Sequence, residues 1–226
     1  MFKQLMGIFR KDSLMDQSYK RSFQMLEITR EMFLKAKKSL RHTDDNIIDI
    51  DIYNKDIEVN KYEREVRRNV LNHLILSGKE NLPQGLVLVS IIIDIERIGD
   101  YTKNIVELAL NHPDKLEIEE FETDLLKIEK AVNELFEQTQ KCFMDSDTEL
   151  GLKLIKKYKW INRLCDESIL KLVKMKGEKI IVGDAVTLAL YFRWLKRINS
   201  HLRNIVTSVV NPFDRIGFKP KKKFID

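Results

Sequence analysis

The sequence predicts an all-α protein built from two tandem three-helix bundles, and three observations carry that prediction. Apolar residues recur with alternating steps of three and four, the pattern of the buried seam in antiparallel helix bundles. No stretch sustains the period-two alternation of a half-buried strand. Helix breakers are scarce, with 8 Gly and 4 Pro in 226 residues, so the elements are long and the turns few.

Each helix follows from its seam and its punctuation. In the first segment the seam is Met15, Tyr19, Ser22, Leu26, Thr29, Phe33, Ala36 and Leu40. His42-Thr-Asp-Asp45 closes it and supplies caps for the second helix, which carries Val59, Tyr62 and Val66. Ser77 through Pro83 leads into the third, and Asn111-His-Pro-Asp114 ends it. The fourth seam is Ile118, Phe121, Leu125, Ile128, Val132, Leu135, Thr139 and Cys142. Asp145-Ser-Asp-Thr148 separates the fourth helix from the fifth, and Gly177 through Gly183 the fifth from the sixth. Each helix then runs to roughly 26–35 residues, ordinary for a bundle.

The third and sixth helices match at a constant offset of 100 positions. Leu88, Ile92, Ile95, Val106 and Ala109 correspond to Leu188, Phe192, Leu195, Val206 and Val209. Any two bundle helices share a seam, but here polar landmarks match as well: Arg97 with Arg197, Asn104 with Asn204, and Asn111-His-Pro113 with Asn211-Pro212. An internal duplication explains all of them. The expected domains are residues 1–113, a first three-helix repeat, and 114–226, a second and degenerate repeat with a basic tail.

Composition excludes several classes. There is no run of about 18 apolar residues to span a bilayer, and Met1–Phe9 is too short and lacks a cleavage site for a signal peptide. A cytoplasmic protein is expected. Cys142 and Cys165 lie on apolar-periodic positions without C-x-x-C spacing and read as buried small hydrophobes in a reducing compartment. His42, His73, His112 and His201 are scattered and form no i, i+4 ligand pair. The net charge of +5 is a mild excess. Its concentrated part is the tail Lys219-Pro-Lys-Lys-Lys223, and the apolar N-terminus carries Phe2, Leu5, Ile8 and Phe9 flanked by Lys3, Arg10 and Lys11. These two ends are the candidates for peripheral association with an anionic membrane surface.

One polar stripe carries chemistry. Glu96, Asp100 and Asn104 follow i, i+4, i+8 and form a strip on one side of the third helix, beside the seam positions Ile95, Gly99 and Thr102. Gly99 at a seam costs about 1 kcal/mol relative to Ala, which close approach of another backbone would justify. On the second helix Asp56, Asn60, Glu63 and Arg67 form a comparable strip, and antiparallel packing brings Asp56 and Asn60 toward Glu96 and Asp100. Converging carboxylates need a cation. That cation is either Arg97 or Arg67 in a salt-bridge network or a hard, oxygen-liganded metal such as Mg, Mn, Ca or Fe.

Asp94-Ile-Glu-Arg-Ile-Gly-Asp100 followed by Asn104-Ile105 resembles the signature of the PhoU family of phosphate-uptake regulators. Asp56-Ile-Glu-Val-Asn-Lys-Tyr-Glu63 is similar to that family's other motif, on the preceding helix. The resemblance implies two three-helix bundles that bind no nucleic acid. It implies a cytoplasmic negative modulator of phosphate transport and starvation signalling. The partners it implies are the ATPase subunit of a phosphate transporter and a sensor histidine kinase. It also implies an iron, zinc, manganese or magnesium ion held by Asp56, Asn60, Glu96 and Asp100, with Asn104 beside them. A homodimer is expected on a separate ground, since a duplicated fold exposes seams at its ends.

The second half departs from that pattern. Lys196 and Ser200 stand at the positions of Glu96 and Asp100, Tyr158 stands for Asp56 and Asn162 for Asn60. Lys196 repels a cation, so a metal is expected in the first repeat only. An enzyme is not expected. No nucleophile–base pair and no G-x-x-x-x-G-K-[ST] loop is present, and the Glu-x-x-His ligands of a di-iron bundle are missing. The competing readings are a carboxylate-bound metalloenzyme and a helical protein that binds a membrane surface or nucleic acid through its charged ends.

Overall fold

The computed structural model describes residues 13–43, 48–77, 79–175 and 180–220. Among them there is no strand, and the helices are α1 (Leu14–His42), α2 (Ile52–Ser77), α3 (Leu82–Asn111), α4 (Glu119–Asp145), α5 (Thr148–Lys157), α6 (Lys159–Lys174) and α7 (Val182–Val210). Short 3-10 turns at Lys79–Asn81 and Phe213–Arg215 precede α3 and follow α7.

Local chemistry sets the ends. Ser13 and Asp16 form a reciprocal capping box at the start of α1. Pro83 occupies the first turn of α3, where its missing N–H costs nothing. Glu119, Glu120 and Glu122 crowd the positive end of α4. That helix closes on Ser146 in the left-handed region (φ 50°), and the next residue, Asp147, caps α5 by accepting the Leu150 amide. The start of α2 differs from expectation. The helix begins at Ile52, where Asp51 accepts the Asn54 amide at 3.1 Å; Asp44 and Asp45 lie outside the described residues.

The helices α1, α2 and α3 pack on one another, and α7 packs against α4, α5, α6 and α3, so α3 and α7 join the two halves. Every seam residue named on α3 and α7 is buried, as are Ser22, Thr29 and Thr139, within one continuous apolar core. The buried hydroxyls donate back to their own helix, Ser22 to the Ser18 carbonyl and Thr29 to that of Leu26, so polar atoms are tolerated in the seam. Phe33 of α1 stacks on Phe136 of α4 at 5.4 Å between ring centroids.

Across the central pair, Asp94 meets His201 and His112 meets Asp184, so α3 and α7 run antiparallel. Tyr101 and His201, one hundred positions apart, stack on each other at 5.7 Å. Equivalent residues of a duplicated helix meet this way when a pseudo-two-fold axis passes between the copies. His201 is mostly buried and bonded through Nδ1 to Asp94 at 2.6 Å.

The expected fifth helix is interrupted. At Tyr158 the backbone leaves helical geometry (φ −102°, ψ 12°), and the rod divides into α5 and α6. Tyr158 is buried, with its hydroxyl 3.2 Å from a Glu134 oxygen. Arg203 of α7 inserts a donor at the Ile155 carbonyl, which an unbroken helix would give to Lys159. A side chain entering the helical ladder is a recognised cause of a kink, and it leaves no Gly or Pro signal in the sequence.

Candidate functional site

The two polar strips face each other across α2 and α3. Asp56, one turn into α2, accepts from Lys103 Nζ at 3.0 Å and from Asn60 Nδ2 at 3.3 Å. The same ammonium lies 3.7 Å from Asp100, and therefore bridges the two helices. Asp100 also accepts from Arg97 at 2.8 Å, and Arg97 Nε lies 3.5 Å from Glu96. Glu63 pairs with Arg67 one turn along α2 at 2.8 Å. The strip is therefore a mesh of four carboxylates and three cations on the flank of a buried seam.

Glu96 is the strained member. Its side chain is only 15% exposed. Burial, reinforced by Asp100 and opposed by Arg97, with Glu63 and Asp56 adding to the repulsion, pushes its carboxyl up to about 7. Near neutral pH it carries a proton part of the time. Lys103 is held above the ordinary lysine range because, although burial pulls it down, the Asp56 hydrogen bond and the Asp56 and Asp100 charges outweigh that.

Of the five residues predicted from the sequence, Asp56, Asn60, Glu96 and Asp100 are thus brought into one electrostatic cluster. Asn104 lies one turn further along α3, and no hydrogen bond joins it to the other four among the described residues. The neutralising cations include the expected Arg97 and Arg67, but the central one is Lys103. Its signal was present in the sequence: it stands three residues after Asp100, on the same side of the helix.

Among the described residues no three His, Cys, Asp or Glu side chains converge as a metal cage. The donors are all oxygens, which suits a hard divalent ion, but the bridging position between Asp56 and Asp100 is filled by an ammonium. Gly99 also departs from expectation. A Cβ there would meet Thr29, Val59 and Met32 side chains at 3.5–4.0 Å, ordinary van der Waals contact, so no backbone requires the glycine.

The family match lies in this half. Residues 23–109 match the family model of the PhoU domain, a span that holds α2, α3 and both polar strips. No curated protein matches the chain. Among solved structures, PhoU from Pseudomonas aeruginosa superposes with a TM-score of 0.77 at 20% identity, covering 87% of this chain and 95% of that one. The phosphate transport system regulatory protein PhoU from Streptococcus pneumoniae superposes with a TM-score of 0.76 at 17% identity, covering 87% and 93%. The fold of PhoU therefore extends over the second half, where the motif residues have been replaced. No helix among the described residues is long and apolar enough to cross a membrane.

Proposed function

We propose that this chain is a non-enzymatic regulator of phosphate uptake that acts in the cytoplasm by docking to other proteins. The observation that carries the reading is the match of residues 23–109 to the PhoU domain model, with both polar motifs assembled on the α2–α3 flank. The partners this reading names are the ATPase subunit of a phosphate transporter and a sensor histidine kinase, with repression of the starvation response when phosphate is plentiful. Residues 114–226 act as a degenerate second repeat, and a homodimer is the expected assembly.

The polar flank supplies the regulator with an adjustable charge. Asp56, Asn60, Glu96 and Asp100, with Asn104 beyond them, would hold a hard divalent ion such as manganese or magnesium once Lys103 swings out of the bridge. Iron or zinc would use the same oxygens. The bound ion would supply positive charge in place of the ammonium and link α2 to α3 more rigidly.

Cross-linking the tagged protein in its native cells, with and without phosphate, tests the regulatory reading. Recovery of a transporter ATPase or a sensor kinase that changes with phosphate is expected. Recovery of neither under both conditions overturns it.

A further inference from the structure

The end of the molecule where α6 leads into α7 leaves an aliphatic surface uncovered. Leu170 and Val173 of α6 and Val182 and Val186 of α7 are each more than half exposed. Two hydrogen-bonded pairs fix how the helices sit: Asp166 stands opposite Lys196, and Asn162 opposite Ser200. The helices are therefore antiparallel, and the same register sets Val173 opposite Ala189 and the last turn of α6 beside Val186. Leu170 and Val173 follow i, i+3, and Val182 and Val186 follow i, i+4, so each helix presents a stripe rather than scattered residues. Beside Leu170 the surface is concave, with a cavity of about 520 Å³ lined by Glu167, Leu170, Lys171, Lys174 and Met175. A contiguous exposed apolar surface with a polar rim marks an interaction site.

The rim of this surface is cationic. Lys171 lies over the Phe121 ring of α4 and pairs with Glu120 at 3.1 Å. Lys174, one turn beyond Leu170, and Arg193, two turns beyond Val186, are exposed, and neither has a carboxylate partner among the described residues. The carboxylates nearby are already answered: Asp166 by Lys196, Glu167 by Arg163 at 3.6 Å, and Asp184 by His112 at 3.0 Å. Residues 176–179, which connect the two helices, are Lys-Gly-Glu-Lys and hold no apolar side chain to cover the stripes. A second copy docked patch to patch would set these cations against their own counterparts, and like charges across an interface are penalised. A bilayer surface is met by aromatic side chains at the headgroup level, whereas Leu170, Val173, Val182 and Val186 are all aliphatic. Charge and shape together favour an anionic, apolar-faced partner.

We propose that the α6–α7 end is the docking surface for an acidic amphipathic helix of a partner protein. Its apolar side chains lie on Leu170, Val173 and Val186, and its Asp or Glu residues lie beside Lys174 and Arg193. In this mode apolar residues at i, i+3, i+4 and i+7 of the incoming helix provide the hold, and the flanking charges set its register and orientation. The surface lies outside residues 23–109, so the family match assigns it no role. The inference rests on the docking reading above and gives it a surface. Its test involves neither a transporter nor a kinase, so the two failures are separable.

Fluorescence polarisation of a labelled synthetic helix, titrated with the full chain, tests this. The probe carries Leu at i, i+3, i+4 and i+7 on one face and Glu along both flanks; its companion has Lys for every Glu. Saturable one-to-one binding of the Glu peptide is expected, at least about tenfold tighter than that of the Lys peptide. Val173→Glu and Val186→Glu, both at exposed positions, should each weaken it at least about tenfold with the helical circular dichroism unchanged. Lys174→Glu combined with Arg193→Glu should invert the preference between the two peptides. Leu76→Glu, at the exposed end of α2, should change nothing. Absence of saturable binding at millimolar concentration overturns the inference. So does equal binding of both peptides, or a loss in Leu76→Glu as large as in Val173→Glu, since either marks unspecific adhesion. Binding to phosphatidylglycerol vesicles, or self-association, that Val173→Glu abolishes while the Glu peptide stays unbound gives the surface to a membrane or a second copy and overturns it as well.

Discussion

Replacing Arg41 by Met should unfold much of what joins the two halves. Arg41 ends α1 with its side chain 1% exposed, and it spends its donors on three partners from the second half. Nε reaches Glu129 at 3.0 Å, one terminal nitrogen reaches Glu122 at 2.5 Å, and the other meets the Leu116 carbonyl. Glu129, 2% exposed, also accepts from the Tyr191 hydroxyl of α7 at 2.8 Å. Burial alone would lower Arg41, yet the Glu129 and Glu122 charges hold it above the usual arginine range.

Met fills the space of the side-chain stem, so the cavity term is small and the loss is electrostatic. Glu129 is left as a buried carboxylate with only a phenol for company, and breaking a buried pair by removing one partner costs about 3–5 kcal/mol. That is a third or more of the roughly 5–15 kcal/mol that typically holds a domain together. Urea denaturation followed by far-UV circular dichroism measures it. The pair must also couple: Arg41→Met with Glu129→Gln should recover about 1–3 kcal/mol relative to the sum of the single changes. A single-variant loss below about 1 kcal/mol, or full additivity, would refute the argument that this network is a buried ion pair.

Four further outcomes follow from the same geometry. With chelator present, Glu96→Gln should stabilise the protein by up to about 3 kcal/mol at pH 8 and by nothing near pH 4. The native carboxyl titrates at about 7 rather than at its ordinary value near 4.5, so stability is fully present below the lower value and lost as pH rises through the higher; a pH-independent effect in thermal melts would contradict this. Gly99→Ala should raise stability by about 0.5–1 kcal/mol, whereas Gly151→Ala should lower it, because a Cβ there sits 2.6 Å from Val210; equal signs in denaturation midpoints would be the failure. Burial pushes the Cys142 and Cys165 thiols up to about 12, so both should resist a disulfide reagent at pH 8 until denaturant is added, and immediate titration of either would count against their burial. Lys103→Met should tighten manganese binding several-fold, since it removes the ammonium that bridges Asp56 and Asp100. Glu96→Ala and Asp100→Ala should weaken it and Lys196→Ala should not; equal effects in a competition titration would discard the metal site.

The seams were legible because burial imposes its period directly on the chain. Ser22, Thr29 and Thr139 were readable as core positions despite their hydroxyls, since spacing rather than residue type placed them there. The offset between α3 and α7 was legible for the same reason, and the Tyr101–His201 stack is its three-dimensional counterpart. The break at Tyr158 was not legible. It depends on Arg203 reaching Ile155 from 48 residues away, a contact with no local sequence sign.

The candidate site was half legible, because spacing places the carboxylates of a strip but only tertiary packing decides what neutralises them. Carboxylate spacing announced Asp56, Glu96 and Asp100, but what neutralises them depends on which cation the packed helices bring within reach. On α3 that cation is Lys103, flanked by Asp100 and facing Asp56. At the matching place on α7 stands Arg203, but its neighbours along the stripe are Ser200 and Lys196, and its partner on the facing helix is the Ile155 carbonyl. Position 203 carries a cation as position 103 does, but Lys196 and Ser200 stand where Glu96 and Asp100 do, so the carboxylate mesh that fixes Lys103 has no counterpart on α7 and nothing in the spacing alone announces what Arg203 bonds.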